Sequence, residues 1–213
     1  MIPRPNASPK AMALLYGQAV PLRGTALGRG MIILGLDPGL NATGYGVILA
    51  RDSEARFIAA GTLRPPARHP LSRRLLFLYD GLANVIDSHH PTTVVLEAVF
   101  IHHDYLTTAA LMAHARGVAC LLSAQHKIEL VEYLPTRIKK ALSGYGRASK
   151  EQVARVVGQW LGVRDPSWSS DATDALALAI AHAHICRSQD RLRPAMPRSR
   201  RPDVLAALAR VAR

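Results

Sequence analysis

The order of the expected elements constrains this chain most. Met31–Leu36 is an unbroken apolar run of strand length, stopped by Asp37-Pro38-Gly39. Gly44–Ala50 and Arg56–Leu63 read as two more strands around the turn Asp52-Ser53-Glu54. No helical pattern intervenes. Leu71–Ile86 then carries apolar residues at helical spacing, and Thr92–Leu96 is a short buried strand ending at Glu97. Asp104–Gln125 is a long Ala-rich helix, and Lys127–Leu134 alternates as a strand. Only helices follow. Thr136–Leu142 has Pro135 at a plausible first helical position. Lys150–Leu161 opens on a Ser149/Gln152 capping box and closes at Gly162, and Asp171–Arg187 is the last core helix. A three-strand meander followed by strand–helix alternation predicts an α/β fold with a mixed five-stranded sheet flanked by helices.

The flanks differ from this core. Residues 1–30 hold Pro3, Pro5, Pro9 and Pro21 with four basic groups and no acid, and read as an irregular extension or a start-codon artefact. Ala11–Val20 loosely mimics a signal peptide, but no clean small-residue cleavage site follows. The domain is expected over 31–187. Residues 188–213 form an Arg-rich tail broken by Pro194, Pro197 and Pro202, with one short amphipathic helix expected over Val204–Val211. The formal charge of the whole chain is +12, and most of the excess lies in these two ends. It points to an anionic partner without placing a nucleic-acid groove in the core. The longest uncharged stretches fall short of the ~20 residues that span a bilayer, so no membrane is expected. Cys120 and Cys186 are the two cysteines, too few for a disulfide framework or a four-cysteine zinc site, and they fit a cytoplasmic setting.

Four acids stand where chemistry is usually placed. Asp37 ends the first strand and Glu97 the fourth, at the C-terminal edge where open sheets carry their sites. If those strands are neighbours, the two carboxylates lie side by side. Asp171 and Asp174 are three apart in the first turn of a helix and share a face. Each acid has an ordinary explanation: a first solvated residue past a strand, or a cap on free helix N–H groups. One residue suffices for capping, however, and Asp174 leads directly into the apolar run Ala175–Ile180. Four carboxylates in one cleft repel and need a cation. Hard oxygen ligands suit Mg²⁺ or Mn²⁺, and two such ions activate a water and steady the leaving oxygen of a phosphodiester.

Taken as an ordered set, these residues resemble the RuvC-type Holliday junction resolvases, which have the RNase H-like (retroviral integrase) fold. Ile33-Leu34-Gly35-Leu36-Asp37-Pro38-Gly39 with Thr43-Gly44-Tyr45-Gly46 is similar to the family's first motif, and Glu97-Ala98-Val99-Phe100 to its second. Ala115-Arg116-Gly117-Val118 falls in the right place on the next helix. Tyr133, Pro135, Ile138-Lys139, Gly144, Gly146, Ala148 and Lys150–Val153 follow its basic segment. Asp171-Ala172-Thr173-Asp174-Ala175-Leu176-Ala177 with His182 and His184 resembles its closing motif. The resemblance implies that Asp37, Glu97, Asp171 and Asp174 are catalytic and bind two Mg²⁺ per subunit, with Mn²⁺ as substitute. It implies DNA contacts at Phe100, Lys139, Arg147 and Lys150, with Phe100 stacking near the junction centre. It further implies a homodimer, four-way junction DNA as substrate, and the RuvA–RuvB branch-migration complex as partner. The loop His102-His103-Asp104-Tyr105 departs from the family's small and amide residues, and the two ends have no clear counterpart.

Other readings fit less well. An actin-like ATPase or sugar kinase would share Asp37-Pro38-Gly39 and Thr43-Gly44, but needs a second nucleotide-binding half that the core is too short to supply, and no Walker motif is present. A silent DNA-binding module would be weakened by all four acids. An RNA-processing relative is disfavoured by the Phe100 motif and the long Ala-rich helix. Zinc is not expected, because His102 and His103 point apart and His182 and His184 lie on different helix faces. Trp160 and Trp168 are expected to pack.

Overall fold

A computed structural model describes residues 30–51, 54–98, 106–144, 149–163 and 167–192. Phe100, Arg147, the His102–Tyr105 loop, the extension before residue 30 and the Arg-rich tail after residue 192 lie outside the described residues. The five expected strands are present: β1 (Met31–Asp37), β2 (Thr43–Arg51), β3 (Glu54–Leu63), β4 (Thr93–Glu97) and β5 (Glu129–Tyr133). They form one sheet in the order β3-β2-β1-β4-β5. The first three strands pair antiparallel as a meander, whereas β1–β4 and β4–β5 are parallel. The parallel pairs need crossovers, and helices α1 (Leu71–His89) and α2 (Leu106–Gln125) supply them.

Three more helices follow: α3 (Pro135–Ser143), α4 (Lys150–Leu161) and α5 (Ser170–Leu192). The expected capping box opens α4. The Gln152 N–H donates to Ser149 Oγ at 3.3 Å, and the Ser149 N–H donates to Gln152 Oε1 at 2.8 Å. Gly162 ends that helix in the left-handed region at φ 65°. Most boundaries shift by a residue or more from the sequence reading; α1, for one, runs on to His89. β1 extends through Asp37, which still pairs with Gly44. α5 runs to Leu192 rather than stopping at Arg187.

The sheet is covered on both faces, so its central strands are apolar throughout. One face packs Leu34, Leu36, Val94 and Leu96 against Leu78, Leu82 and Leu122 of α1 and α2. The other packs Ile33, Ile48 and Val95 against Leu176 and Ile180 of α5, with Ile138 and Val157 of α3 and α4 outside them. α5 lies unusually close to the strands. A β-carbon on Gly35 would fall 2.0 Å from the Ala175 carbonyl oxygen, and one on Gly46 would fall 2.7 Å from the Leu176 nitrogen. Glycines therefore open the trough in which α5 sits. Trp168 stacks on Phe57 at 5.2 Å, and Trp160 meets His184 edge-on at 4.1 Å, so both tryptophans pack as expected.

Candidate active site

Strand alternation decides where the acids point. Ile33, Gly35 and Asp37 share the α5 face of β1, and Val95 and Glu97 share that face of β4. Leu36 pairs with Leu96 across the parallel β1–β4 ladder, so Asp37 and Glu97 follow side by side. From the helix side, Ser169 Oγ accepts from the Ala172 N–H at 3.2 Å, which leaves Asp171 and Asp174 free of that capping duty.

Asp37, Glu97 and Asp174 line one cavity of about 320 Å³ together with Lys139 and Lys150. Pro135, Ile138 and Val153 form part of its apolar wall. Burial, then the charges of Asp174, Asp171 and Glu97, push the Asp37 carboxyl up to about 6 against the pull of Lys150. Glu97 is also raised, by burial and then by Asp174, with Lys139 and Lys150 opposing. Lys150 is raised in turn, chiefly by Asp174, whose Oδ2 is 3.4 Å from its Nζ.

Asp171 acts electrostatically on Asp37 without lining the cavity. Its Oδ2 accepts from Arg64 Nη2 at 3.0 Å instead. Among the described residues, no three acidic, imidazole or thiol groups are gathered tightly enough to hold an ion as they stand. The two α5 carboxylates are each paired with a basic side chain, Asp171 with Arg64 and Asp174 with Lys150. The donor chemistry nonetheless fits a hard divalent ion, since every acid offers carboxylate oxygen and the cluster carries excess negative charge.

The residues around this cleft answer to one set of known proteins. The family model described as "Crossover junction endodeoxyribonuclease RuvC" matches residues 33–182. The chain belongs to the RuvC family. A relative of that name from Bradyrhizobium diazoefficiens is 42% identical over 166 residues, covering 78% of this chain and 91% of the relative. The solved structure described as Thermus thermophilus RuvC in complex with Holliday junction substrate superposes with a TM-score of 0.70 at 28% identity, covering 75% of this chain and 96% of that one. The yeast mitochondrial Holliday junction resolvase Ydc2 shares the fold, with a TM-score of 0.56 at 13% identity over 86% of this chain and 88% of that one. The fold is RNase H-like, as the sequence resemblance implied. With membership of the RuvC family comes its activity, endonucleolytic cutting of DNA at crossover junctions. No helix among the described residues is long and apolar enough to cross a membrane.

The structure adds groups that the RuvC resemblance left without a role. Arg116 on α2 donates from Nη1 to the Glu97 carbonyl at 2.8 Å and pairs through Nη2 with Glu132. It thereby ties the end of β4 to β5 and holds the backbone beneath Glu97. Thr43 Oγ1 donates to the Gly39 carbonyl at 2.7 Å, closing the turn after Asp37. Arg74 of α1 donates to Leu40 O at 3.0 Å and to Asn41 Oδ1 at 2.7 Å, fixing the same turn from outside. Arg116 and Thr43 stood inside the quoted motifs, so a signal existed. Arg74 and Arg64 gave none.

Proposed function

We propose that this cleft hydrolyses the phosphodiesters of four-way DNA junctions with two hard divalent ions per subunit, Mg²⁺ or in its place Mn²⁺. Asp37, Glu97, Asp171 and Asp174 are the groups that would hold them. When bound, such ions supply an activated water and neutralise the leaving oxygen, so that hydrolysis needs no covalent enzyme intermediate. The chain's own residues do the rest. Lys139 and Lys150 line the same cavity and meet the phosphate oxygens flanking the cut. Asp37 must be ionised to serve as a ligand, which its raised pKa of about 6 permits at neutral pH. Phe100 stacks on an unpaired base at the junction centre, and Arg147 adds a backbone contact.

A closed two-fold dimer presents two equivalent clefts to a roughly two-fold junction. The protein thus acts as a homodimer and makes two symmetric incisions during homologous recombination and DNA repair. It works in the cytoplasm beside the RuvA–RuvB branch-migration complex. The observation that carries the proposal is the meeting of Asp37, Glu97 and Asp174 with two lysines in one cavity, from five separate elements of the chain.

The test compares a labelled mobile four-way junction with linear duplex and an RNA hairpin, each in Mg²⁺ and in EDTA. Junction-selective cutting in Mg²⁺ alone is expected. Asp37→Asn and Glu97→Gln should abolish cutting and leave junction binding measurable. Equal cutting of all three substrates would remove junction selectivity, and active acid variants would remove this site.

A further inference from the structure

Arg64 is the basic side chain nearest the acids that no motif accounts for. It follows β3 directly, at one edge of the sheet. Lys139 lies on α3, which follows β5 at the opposite edge. The acids at the ends of β1 and β4 lie between them in the strand order. A DNA backbone crossing the acids along this line therefore meets a basic group at either end.

The backbone that carries Arg64 is held in place. Thr62 shares a 2.5 Å hydrogen bond with Ser169, so the end of β3 is tied to the start of α5. Two residues beyond Thr62, the Arg64 guanidinium reaches Asp171 while its side chain stays 61% exposed. An exposed ion pair of this kind is weak and exchangeable. A divalent ion on Asp171 carries twice the charge of the guanidinium and repels it. The guanidinium matches a phosphate in bidentate geometry as well as it matches a carboxylate.

We propose that Arg64 is a DNA-phosphate contact held in reserve. It neutralises Asp171 while the acids lack their cations and turns to the DNA backbone when a cation takes its place. This inference rests on the reading of Asp171 as a cation ligand. It extends the phosphate track to the β3 edge and couples cation loading to DNA grip.

Two measurements on the full chain test it. In the first, Mn²⁺ is titrated without DNA and followed by its paramagnetic resonance signal. Arg64→Ala removes the competitor for Asp171, so Mn²⁺ should bind roughly two- to fivefold more tightly. The second is a junction-binding cycle in EDTA with wild type, R64A, D171N and the double variant. In D171N the arginine has lost its acid and is already free for phosphate. R64A should then cost several-fold in affinity and lower the salt slope by about one, while costing little in the wild-type background. Thermal unfolding verifies that each variant is folded. A wild-type chain that fails to bind Mn²⁺ overturns the two-cation reading. Mn²⁺ binding that R64A leaves unchanged, or an equal cost of R64A in both backgrounds, overturns the role of Arg64 alone.

Discussion

Gly44 and Asp171 meet backbone to backbone: a β-carbon on the glycine would fall 2.0 Å from the Asp171 carbonyl oxygen. The start of α5, and with it both of its acids, rests on β2 only because position 44 lacks a side chain. Gly44→Ala forces the helix start outward. The expected cost in stability is about 1–3 kcal/mol, as for other overpacked cores. A shift of the Asp171–Asp174 turn by about 1 Å should lower cleavage roughly 100-fold. The assay is single-turnover junction cutting well below the unfolding temperature, beside urea unfolding. Cutting at the wild-type rate would show that the helix start is not held by this contact.

The Asp37 carboxyl sets a pH dependence with a definite sign. Its pKa is 3.8 in the unfolded chain and about 6 in the folded one. Between these values the folded chain keeps a proton that the unfolded chain has released, so ionisation of Asp37 costs stability as pH rises. The penalty is complete above the folded value and is on the order of 3 kcal/mol. Urea unfolding in EDTA should therefore find Asp37→Asn more stable than wild type at pH 8, with the gap closing toward pH 4. Mg²⁺ should stabilise wild type at pH 8 and the variant much less. A gap that does not change with pH would refute the raised pKa.

Much of this was legible because its causes are local. The capping box at Ser149 and Gln152, the Gly162 stop and the apolar run before Asp37 each act within a few residues. The strand-end placement of Asp37 and Glu97 needed only the two-residue alternation of a strand. What stayed hidden depends on docking. Gly35 and Gly44 read as strand and motif glycines until α5 is seen lying on them. Arg64 and Asp171 are 107 positions apart, and nothing in either neighbourhood marks the pair. α5 runs past Arg187 because Ser188, Gln189 and Asp190 follow it, and no glycine or proline comes before Pro194 to stop a helix.

Beneath the cleft, the Tyr133 hydroxyl lies 2.9 Å from His182 Nδ1, and both residues are buried. Burial lowers the His182 pKa and favours the neutral ring, which shares this hydrogen bond with the phenol hydroxyl. Cys186 Sγ lies 3.4 Å from the other ring nitrogen. Tyr133 is the ladder partner of Glu97, so this bond braces β5 against α5 behind the site. Tyr133→Phe takes the hydroxyl partner from a buried ring nitrogen, and a loss of about 1–3 kcal/mol in urea unfolding is expected. A loss below about 0.5 kcal/mol, the low end for a hydrogen bond, would mean that the bond contributes little in the folded chain.

Ser149 links a helix cap to Lys150, the proposed phosphate contact. Its side chain and that of Gln152 satisfy each other's backbone N–H groups, and Lys150 is the first residue of the helix they open. Ser149→Ala removes half of the box, at a cost of about 1 kcal/mol. The loss falls on the first turn of α4, so Lys150 is no longer held 3.4 Å from Asp174 at the cavity wall. Junction affinity should drop several-fold, whereas cutting of fully bound junction should fall less, because the acids do not move. Ser149→Thr keeps a capping hydroxyl and should restore most of the affinity. Fluorescence anisotropy with a labelled junction, read beside single-turnover cutting at saturating protein, separates the two effects. If S149A bound the junction as wild type does, the first turn of α4 would not need its cap to present Lys150.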